Sequence, residues 1–223
     1  MPIPLWAAVL PALIAAATTY ALVPQVRKFA IESRVADKPN GRKLHAHAVP
    51  HVGGVAIFSG FFLGLLVSLG SPGGALQADR VLALLPALLI LFGLGLVDDL
   101  RGLRAGVKLT YQIAGALCAV GMGAGFQVQG AGADLLTFAL LTGFSVLWYV
   151  GICNSMNLID GLDGLAAGTA SLAAVGFLVV AIRVGEPAVA VVAICLIGSL
   201  VAFLRFNFHP ARIFLGDCGS TLL

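Results

Sequence analysis

The sequence predicts an all-α fold, a polytopic membrane helix bundle formed by one domain over residues 1–223. Of the 223 residues 60% are hydrophobic and 10% are charged, and the mean hydropathy is +1.03. Soluble proteins carry about 25% charged residues, so this chain has too few to coat a soluble domain. Disordered chains are polar and highly charged, which excludes disorder. The net charge of +3 is small and spread over short loops, so we expect a lipid bilayer and no nucleic acid as partner.

Seven apolar runs without charges predict about seven spans and the start of an eighth. A helix needs about 20 residues to cross the hydrocarbon core, and it satisfies its own backbone there. The first run has no basic segment ahead of it, so it is predicted to be a retained helix and not a signal peptide. The predicted spans are approximately 3–23, 53–70, 81–97, 108–126, 135–152, 166–183 and 188–204, with an eighth helix from Gly219.

The basic residues predict which side of the membrane each loop occupies. Of the 13 Lys and Arg residues, 11 fall in segments 24–52, 98–108 and 205–217, which lie on one side of the predicted spans. The positive-inside rule assigns that side to the cytoplasm and puts the N-terminus outside. The carboxylates discussed below belong to the same side. The sequence therefore predicts one functional face, which is cytoplasmic.

An aspartate pair, Asp98-Asp99, ends the third apolar run. Ionisable residues at membrane depth are costly and indicate function by default. Two neighbouring carboxylates raise each other's pKa unless a cation neutralises them, so a divalent metal or a proton is the expected partner. The alternative is an interfacial acidic pair that simply ends the span.

Two further polar segments supply oxygen ligands. Residues 154–164 hold two Asn and two Asp at spacings of three, predicted to lie on a turn or a first helical turn. Carboxylate and amide oxygens suit Mg²⁺ or Mn²⁺ and not zinc. In segment 206–220, Asp217 lies close to glycines just before a helix start, which predicts a carboxylate beside free backbone N–H groups.

The basic loop 37–54 is predicted to face an anion, because Lys, Arg and exposed backbone N–H groups hold phosphates. Gly53 and Gly54 open a helix there and could let the backbone approach a ligand. The alternative is a loop whose basic residues serve only to orient the protein in the membrane.

Together these segments resemble the polyprenyl-phosphate N-acetylhexosamine-1-phosphate transferase superfamily, of glycosyltransferase family 4 type. The shared pattern is D-x-P-N-x-R-K-x-H with P-x-x-G-G, an aspartate pair followed by K-L-x-x-Q, N-x-x-N-x-x-D-G-x-D-G, and F-N-F-x-P-A-R-I-F-x-G-D-x-G-S. It covers the chain from about residue 37 to its end. His51 and Ile159 stand where the muramoyl-pentapeptide branch usually has Thr, so the resemblance is to the N-acetylglucosamine-1-phosphate branch.

The resemblance implies transfer of N-acetylhexosamine-1-phosphate from a UDP-sugar to an undecaprenyl-type polyprenyl phosphate, with Mg²⁺ or Mn²⁺ as cofactor. The products are a polyprenyl-diphospho-sugar and UMP, at the start of cell-envelope glycan synthesis in the bacterial inner membrane. The site residues that the resemblance implies are Asp98, Asp99 and Lys108 as catalytic, Asp217 and Asp99 for the metal, and Asn157, Asp160, Asp163, Arg42, Lys43 and His45 for substrate.

Two other classes remain open at the level of sequence. An ion-coupled transporter would also place carboxylates in spans, though near mid-membrane and facing a pathway. An inactive or scaffold membrane protein is the second. The resemblance further implies additional helices and a His-rich loop after residue 220. The domain is therefore expected to be incomplete at its C-terminal end, with Asp217 held from one side only and turnover slow. The hexosamine, the lipid length and the oligomeric state stay undetermined.

Overall fold

The described part of the chain folds into seven long helices and one short helix. A computed structural model describes residues 5–33, 49–70, 75–127 and 134–223. Every regular element in these four ranges is a helix. The helices are α1 (Leu5–Glu32), α2 (Gly53–Leu69), α3 (Ala75–Arg101), α4 (Ala105–Gly121), α5 (Leu135–Ile159), α6 (Leu165–Val184), α7 (Pro187–Asn207) and α8 (Asp217–Ser220).

Five of these helices, α1, α3, α5, α6 and α7, are long and apolar enough to cross a membrane, and α2 is apolar but has 17 residues. Large apolar side chains point outward along them; Leu172 is 76% exposed and Phe177 64%. Soluble monomers rarely expose apolar surface on this scale, because water disfavours it. The predicted all-α, polytopic membrane bundle is confirmed.

The helices are longer than several of the predicted spans. Helix α1 continues to Glu32 instead of ending near residue 23, and α5 continues to Ile159 instead of 152. Helix α4 is the exception, since it ends at Gly121 and not near residue 126. A run without charged residues indicates the part of a helix that contacts lipid. The helix itself can continue into polar residues, because its backbone hydrogen bonds do not depend on lipid contact. As a result, the last polar turns of α3 and α5 are helical.

Helices α1, α2 and α7 pack closely through small residues. A Cβ on Gly60 of α2 would overlap Thr19, and one on Gly64 would lie 2.8 Å from the carbonyl oxygen of Pro11. Small residues let membrane helices approach each other, where lipid provides no hydrophobic drive for association. The spacing Gly60-x-x-x-Gly64 places both glycines on the face of α2 that meets α1.

The short helix α8 is buried at one end of the bundle, where α2, α3 and α5 contact it. Gly95 of α3 and Gly54 of α2 lack a side chain where the backbone of α8 passes, and a Cβ on either would overlap it. Cys218 and Ser220 are fully buried, and the hydroxyl of Thr221 donates to the carbonyl of Leu91 at 3.2 Å. The expectation that Asp217 is held from one side only is therefore wrong, because three helices surround the segment that carries it.

Candidate active site

A cavity of about 400 Å³ lies at the end of the bundle where α3, α4 and α5 meet α8. It brings together six of the residues predicted from sequence and adds one histidine. Its polar lining consists of His51, Asp98, Asp99, Lys108, Asn157, Asp160 and Asp217.

Lys108 links two carboxylates that are far apart in sequence. Its ammonium nitrogen Nζ lies 2.8 Å from Oδ2 of Asp217 and also contacts Oδ2 of Asp98. The other oxygen of Asp98, Oδ1, accepts the backbone N–H of Leu103 at 2.5 Å. Burial raises the pKa of Asp217, while the adjacent lysine opposes that rise. Among the described residues, the site therefore concentrates negative charge around the ammonium group of Lys108.

Asp99 faces α8 and not Lys108. Its two oxygens accept the backbone N–H groups of Asp217 at 2.7 Å and of Cys218 at 2.9 Å. Backbone N–H groups at a helix N-terminus have no partner inside their own helix, so an aspartate that accepts them caps the helix. Asp99 thus fixes the backbone on which the carboxylate of Asp217 is carried.

Asn157 enters the cavity from the last turn of α5, not from a first helical turn, whereas Asp160 lies in the turn just past the helix, as the spacing predicts. Asp160 is half-buried just past the helix end, and its carboxyl group lies near the backbone N–H of Gly216. Burial, with the nearby charges of Asp217 and Asp99, raises the pKa of Asp160 to about 7. A carboxyl group of this kind exchanges a proton near neutral pH and gains from any cation brought beside it.

The segment before α2 pairs with the segment before α8 through backbone hydrogen bonds. Phe214 N–H donates to Pro50 at 2.8 Å, Gly53 N–H to Phe214 at 2.9 Å and Gly54 N–H to Leu215 at 2.8 Å. The N–H groups of Gly53 and Gly54 are therefore engaged within the protein. This corrects the expectation that they approach a ligand; they join two of the predicted motifs instead.

His51 lines the cavity although its residue type did not single it out in the sequence. Its imidazole stacks on the ring of Phe214 with centroids 4.9 Å apart. The signal that could have found it is its position inside P-x-x-G-G, one residue after Pro50. The pairing described above brings that motif to the segment that carries Asp217.

Asp163 is not among the residues that line the cavity. Its Oδ2 accepts the backbone N–H of Ala211 at 3.0 Å and lies 2.9 Å from Nδ1 of the exposed His209. The side chain of buried Asn207 makes two further hydrogen bonds in this region. It accepts the N–H of Gly164 at 3.1 Å and donates to the carbonyl of Ile213 at 2.9 Å. These contacts tie the loop after α5 to the segment leading to Asp217. Substrate binding by Asp163 stays a prediction.

Gln112 connects two further motifs, since its Oε1 accepts the side-chain amide of Asn154 at 3.0 Å. It is 3% exposed, a buried amide that the K-L-x-x-Q pattern contains but whose partner the sequence does not show. Three predicted substrate residues, Arg42, Lys43 and His45, lie outside the described residues.

The oxygen donors in this cavity fit Mg²⁺ or Mn²⁺. Among the described residues no three His, Cys, Asp or Glu side chains form a ready-made metal cage. Mg²⁺ does not require one, because it usually binds one or two carboxylates and completes its shell with water and substrate phosphates. Oδ2 of Asp98 is fully buried, and the ammonium group of Lys108 contacts it. Such a carboxylate oxygen favours a cation, and metal binding stays a prediction.

The carboxylates gather at one end of the helices, which does not favour the transporter alternative, because that class would hold them near mid-membrane.

The chain also resembles known proteins. Residues 81–223 match the family model described as glycosyl transferase family 4.

Curated relatives cover nearly the whole chain. It is 36% identical over 211 residues to a probable undecaprenyl-phosphate N-acetylglucosaminyl 1-phosphate transferase of Bacillus subtilis, covering 92% of the chain and 57% of the relative. It is 33% identical to a decaprenyl-phosphate N-acetylglucosaminephosphotransferase of Mycobacterium tuberculosis, covering 99% and 59%. A phospho-N-acetylmuramoyl-pentapeptide-transferase of Desulforudis audaxviator is 33% identical, covering 91% and 67%. The chain thus spans well under two thirds of the first two relatives.

Proposed function

The chain belongs to glycosyl transferase family 4, and from this membership we propose that it transfers N-acetylglucosamine-1-phosphate from UDP-N-acetylglucosamine to a polyprenyl phosphate. The products would be a polyprenyl-diphospho-sugar and UMP. The relatives with the N-acetylglucosamine name support this sugar over a muramoyl-pentapeptide donor. The observation that carries the proposal is the cavity, which holds four aspartates and one lysine at the end of membrane-spanning helices.

The position of the cavity suits the two substrates. A polyprenyl phosphate has its chain in the bilayer and its charged group at the surface, while a nucleotide sugar comes from water. A site at the ends of α3, α4 and α5 is where both can meet. Phosphoryl transfer depends mainly on positioning and charge neutralisation, with little covalent work for the protein.

In the proposed reaction an oxygen of the lipid phosphate forms a bond to the β-phosphorus of the UDP-sugar. The bond from that phosphorus to the bridging oxygen breaks, and UMP leaves. Asp98 orients the lipid phosphate and accepts its proton where one is present, with Oδ1 anchored on Leu103. Lys108 neutralises charge on the phosphates, which it reaches from the first turn of α4.

Mg²⁺ or Mn²⁺ would be held by Asp217, and its role would be to neutralise the diphosphate. Asp99 supports that site through the backbone N–H groups of residues 217 and 218. Asn157 and Asp160 bind the nucleotide side of the donor from the end of α5. Arg42, Lys43 and His45 are proposed to bind substrate from the preceding loop.

We place the active face in the cytoplasm of a bacterial cell, at the inner membrane. The segments 24–52, 98–108 and 205–217 hold 11 of the 13 Lys and Arg residues, and the cavity lies on their side of the helices. The product would then start a cell-envelope glycan, such as a lipopolysaccharide or a teichoic acid linkage.

The test is UMP release and lipid-linked product from purified protein in lipid nanodiscs, given undecaprenyl phosphate and UDP-N-acetylglucosamine. We expect both products with Mg²⁺ or Mn²⁺, and neither with Zn²⁺ alone or with excess chelator. UDP-N-acetylmuramoyl-pentapeptide serves as the competing donor. Product from that donor alone would overturn the assigned sugar. UMP release without lipid product would overturn the transfer reaction.

A further inference from the structure

Lys108 contacts the carboxylate that is proposed to hold the metal ion. We propose that its ammonium group takes the divalent-cation position beside Asp217 when no metal is bound, and leaves it for the substrate phosphates when the metal binds. The proposal rests on the proposed function for the identity of the metal and the phosphates.

The carboxylate oxygens around Lys108 show why the two cations compete. Backbone N–H groups take both oxygens of Asp99 and Oδ1 of Asp98. Oδ2 of Asp98 and Oδ2 of Asp217 instead contact the ammonium nitrogen of Lys108. A metal that binds Oδ2 of Asp217 meets a positive charge already at contact distance. The repulsion between the two cations is lost only when the lysine moves away.

The side chain of Lys108 is 31% exposed, whereas that of Asp98 is 4% exposed. The side chain of Asp217 is 24% exposed, and Asp99 holds its backbone N–H at 2.7 Å. A lysine has a flexible four-carbon stem and a compact charge, so it can exchange a carboxylate for a phosphate without movement of the backbone.

The exchange also keeps a positive charge beside the two carboxylates at each stage. Without a cation beside them, the carboxylates of Asp98 and Asp217 repel each other. The ammonium group of Lys108 offsets this repulsion until the metal binds. The same ammonium group then becomes available to the diphosphate at the moment when its charge must be neutralised.

The first experiment measures Mn²⁺ binding to the chelator-treated protein in detergent, by electron paramagnetic resonance, with no lipid phosphate or nucleotide present. We expect Lys108→Gln to bind Mn²⁺ at least about fivefold more tightly than the unaltered protein, since a contact repulsion is removed. Arg104→Gln is the matched control, because it removes the same charge from an exposed residue just before α4. It should change the affinity less than twofold or so.

Equal or weaker binding by Lys108→Gln would overturn the proposal, as would an equal gain in both variants or no Mn²⁺ binding in either. Lys108→Arg should bind no more tightly than the unaltered protein, because the charge stays. The Mn²⁺ binding measurement does not use turnover, so a negative result in it leaves the transferase proposal standing. Absence of UMP release would likewise leave the Mn²⁺ binding result intact.

A second measurement needs no variant and covers the case in which Lys108→Gln does not fold. The unaltered protein is acetylated with an amine-reactive reagent with and without Mn²⁺, and the modified lysines are quantified by mass spectrometry. Mn²⁺ should speed the modification of Lys108, while exposed Lys28, whose partner is Glu32 at 3.9 Å, should be unaffected. An unchanged or slower rate at Lys108 would overturn the proposal.

Discussion

Asp99 accepts a hydrogen bond from the backbone N–H of Asp217 at 2.7 Å, across 118 residues of sequence. The neighbouring Asp98 instead contacts Lys108 and Leu103. Two adjacent aspartates therefore do different work, because successive positions on a helix point in different directions. Asp98 presents charge to the cavity, and Asp99 holds the segment that presents the charge of Asp217.

Asp99→Asn should lower both stability and turnover, while Asp98→Asn should lower mainly turnover. An amide at position 99 turns one acceptor into a donor that faces the N–H of Asp217 or Cys218. Leaving a buried N–H unpaired costs about 1–3 kcal/mol. Thermal unfolding in detergent is the measurement, with UMP release beside it. Equal unfolding temperatures for the two variants would contradict this division of roles.

Asp98→Asn and Asp217→Asn should each lower turnover by at least about 10²-fold, through loss of a proton acceptor and of a metal ligand. Asp134→Asn is the control and should be nearly silent. Asp134 caps α5 by accepting the N–H of Thr137 at 2.9 Å, and Asn caps helices equally well. Turnover measured for all three decides the matter. An equal loss in Asp134→Asn would mean that the active end of the bundle is wrongly assigned.

His51→Phe should fold as well as the unaltered protein but turn over at least about tenfold more slowly, because we propose that the imidazole, which lines the cavity, donates a hydrogen bond to a substrate phosphate. The phenyl ring keeps the stack on Phe214 and removes the ring nitrogens. His51→Ala removes both and should also lower the unfolding temperature. Turnover of His51→Phe at the unaltered rate would show that the ring serves only for packing.

Asp160→Asn should raise the unfolding temperature of the metal-free protein at pH 8. The pKa of Asp160 is about 7 in the fold, against 3.8 for the ordinary group, so the folded state holds a proton that the unfolded state releases. Stability therefore falls as pH rises between those two values, and the ionised carboxylate costs roughly 2–4 kcal/mol above them.

The gain from Asp160→Asn should shrink as the pH is lowered from 8 towards 4. Unfolding temperatures measured in chelator at several pH values test this directly. Asp79→Asn, at an exposed position, is the control. A gain that does not depend on pH would show that burial of the charge is not its cause.

The class of fold followed from sequence, because hydropathy and charge are local properties of the chain. Runs without charged residues located every long helix, and the parity of the loops placed Asp98, Lys108, Asp160 and Asp217 at one end of the bundle. The cavity contains all four. Helix ends were less accurate, as with α1 and α5, since backbone hydrogen bonding continues where lipid contact stops.

The tertiary structure alone decided what each polar group does. Hydrogen bonds across more than 100 residues assign Asp99 to α8 and Lys108 to Asp217, and no local pattern contains that information. In the same way, Asp163 was expected at the site but contacts Ala211. His51 was not singled out by its residue type, yet it lines the cavity. Residue type and spacing determine which groups are offered to a site. The packing of distant segments decides which carboxylate oxygen faces a cation and which faces a backbone N–H. This packing depends on the whole bundle.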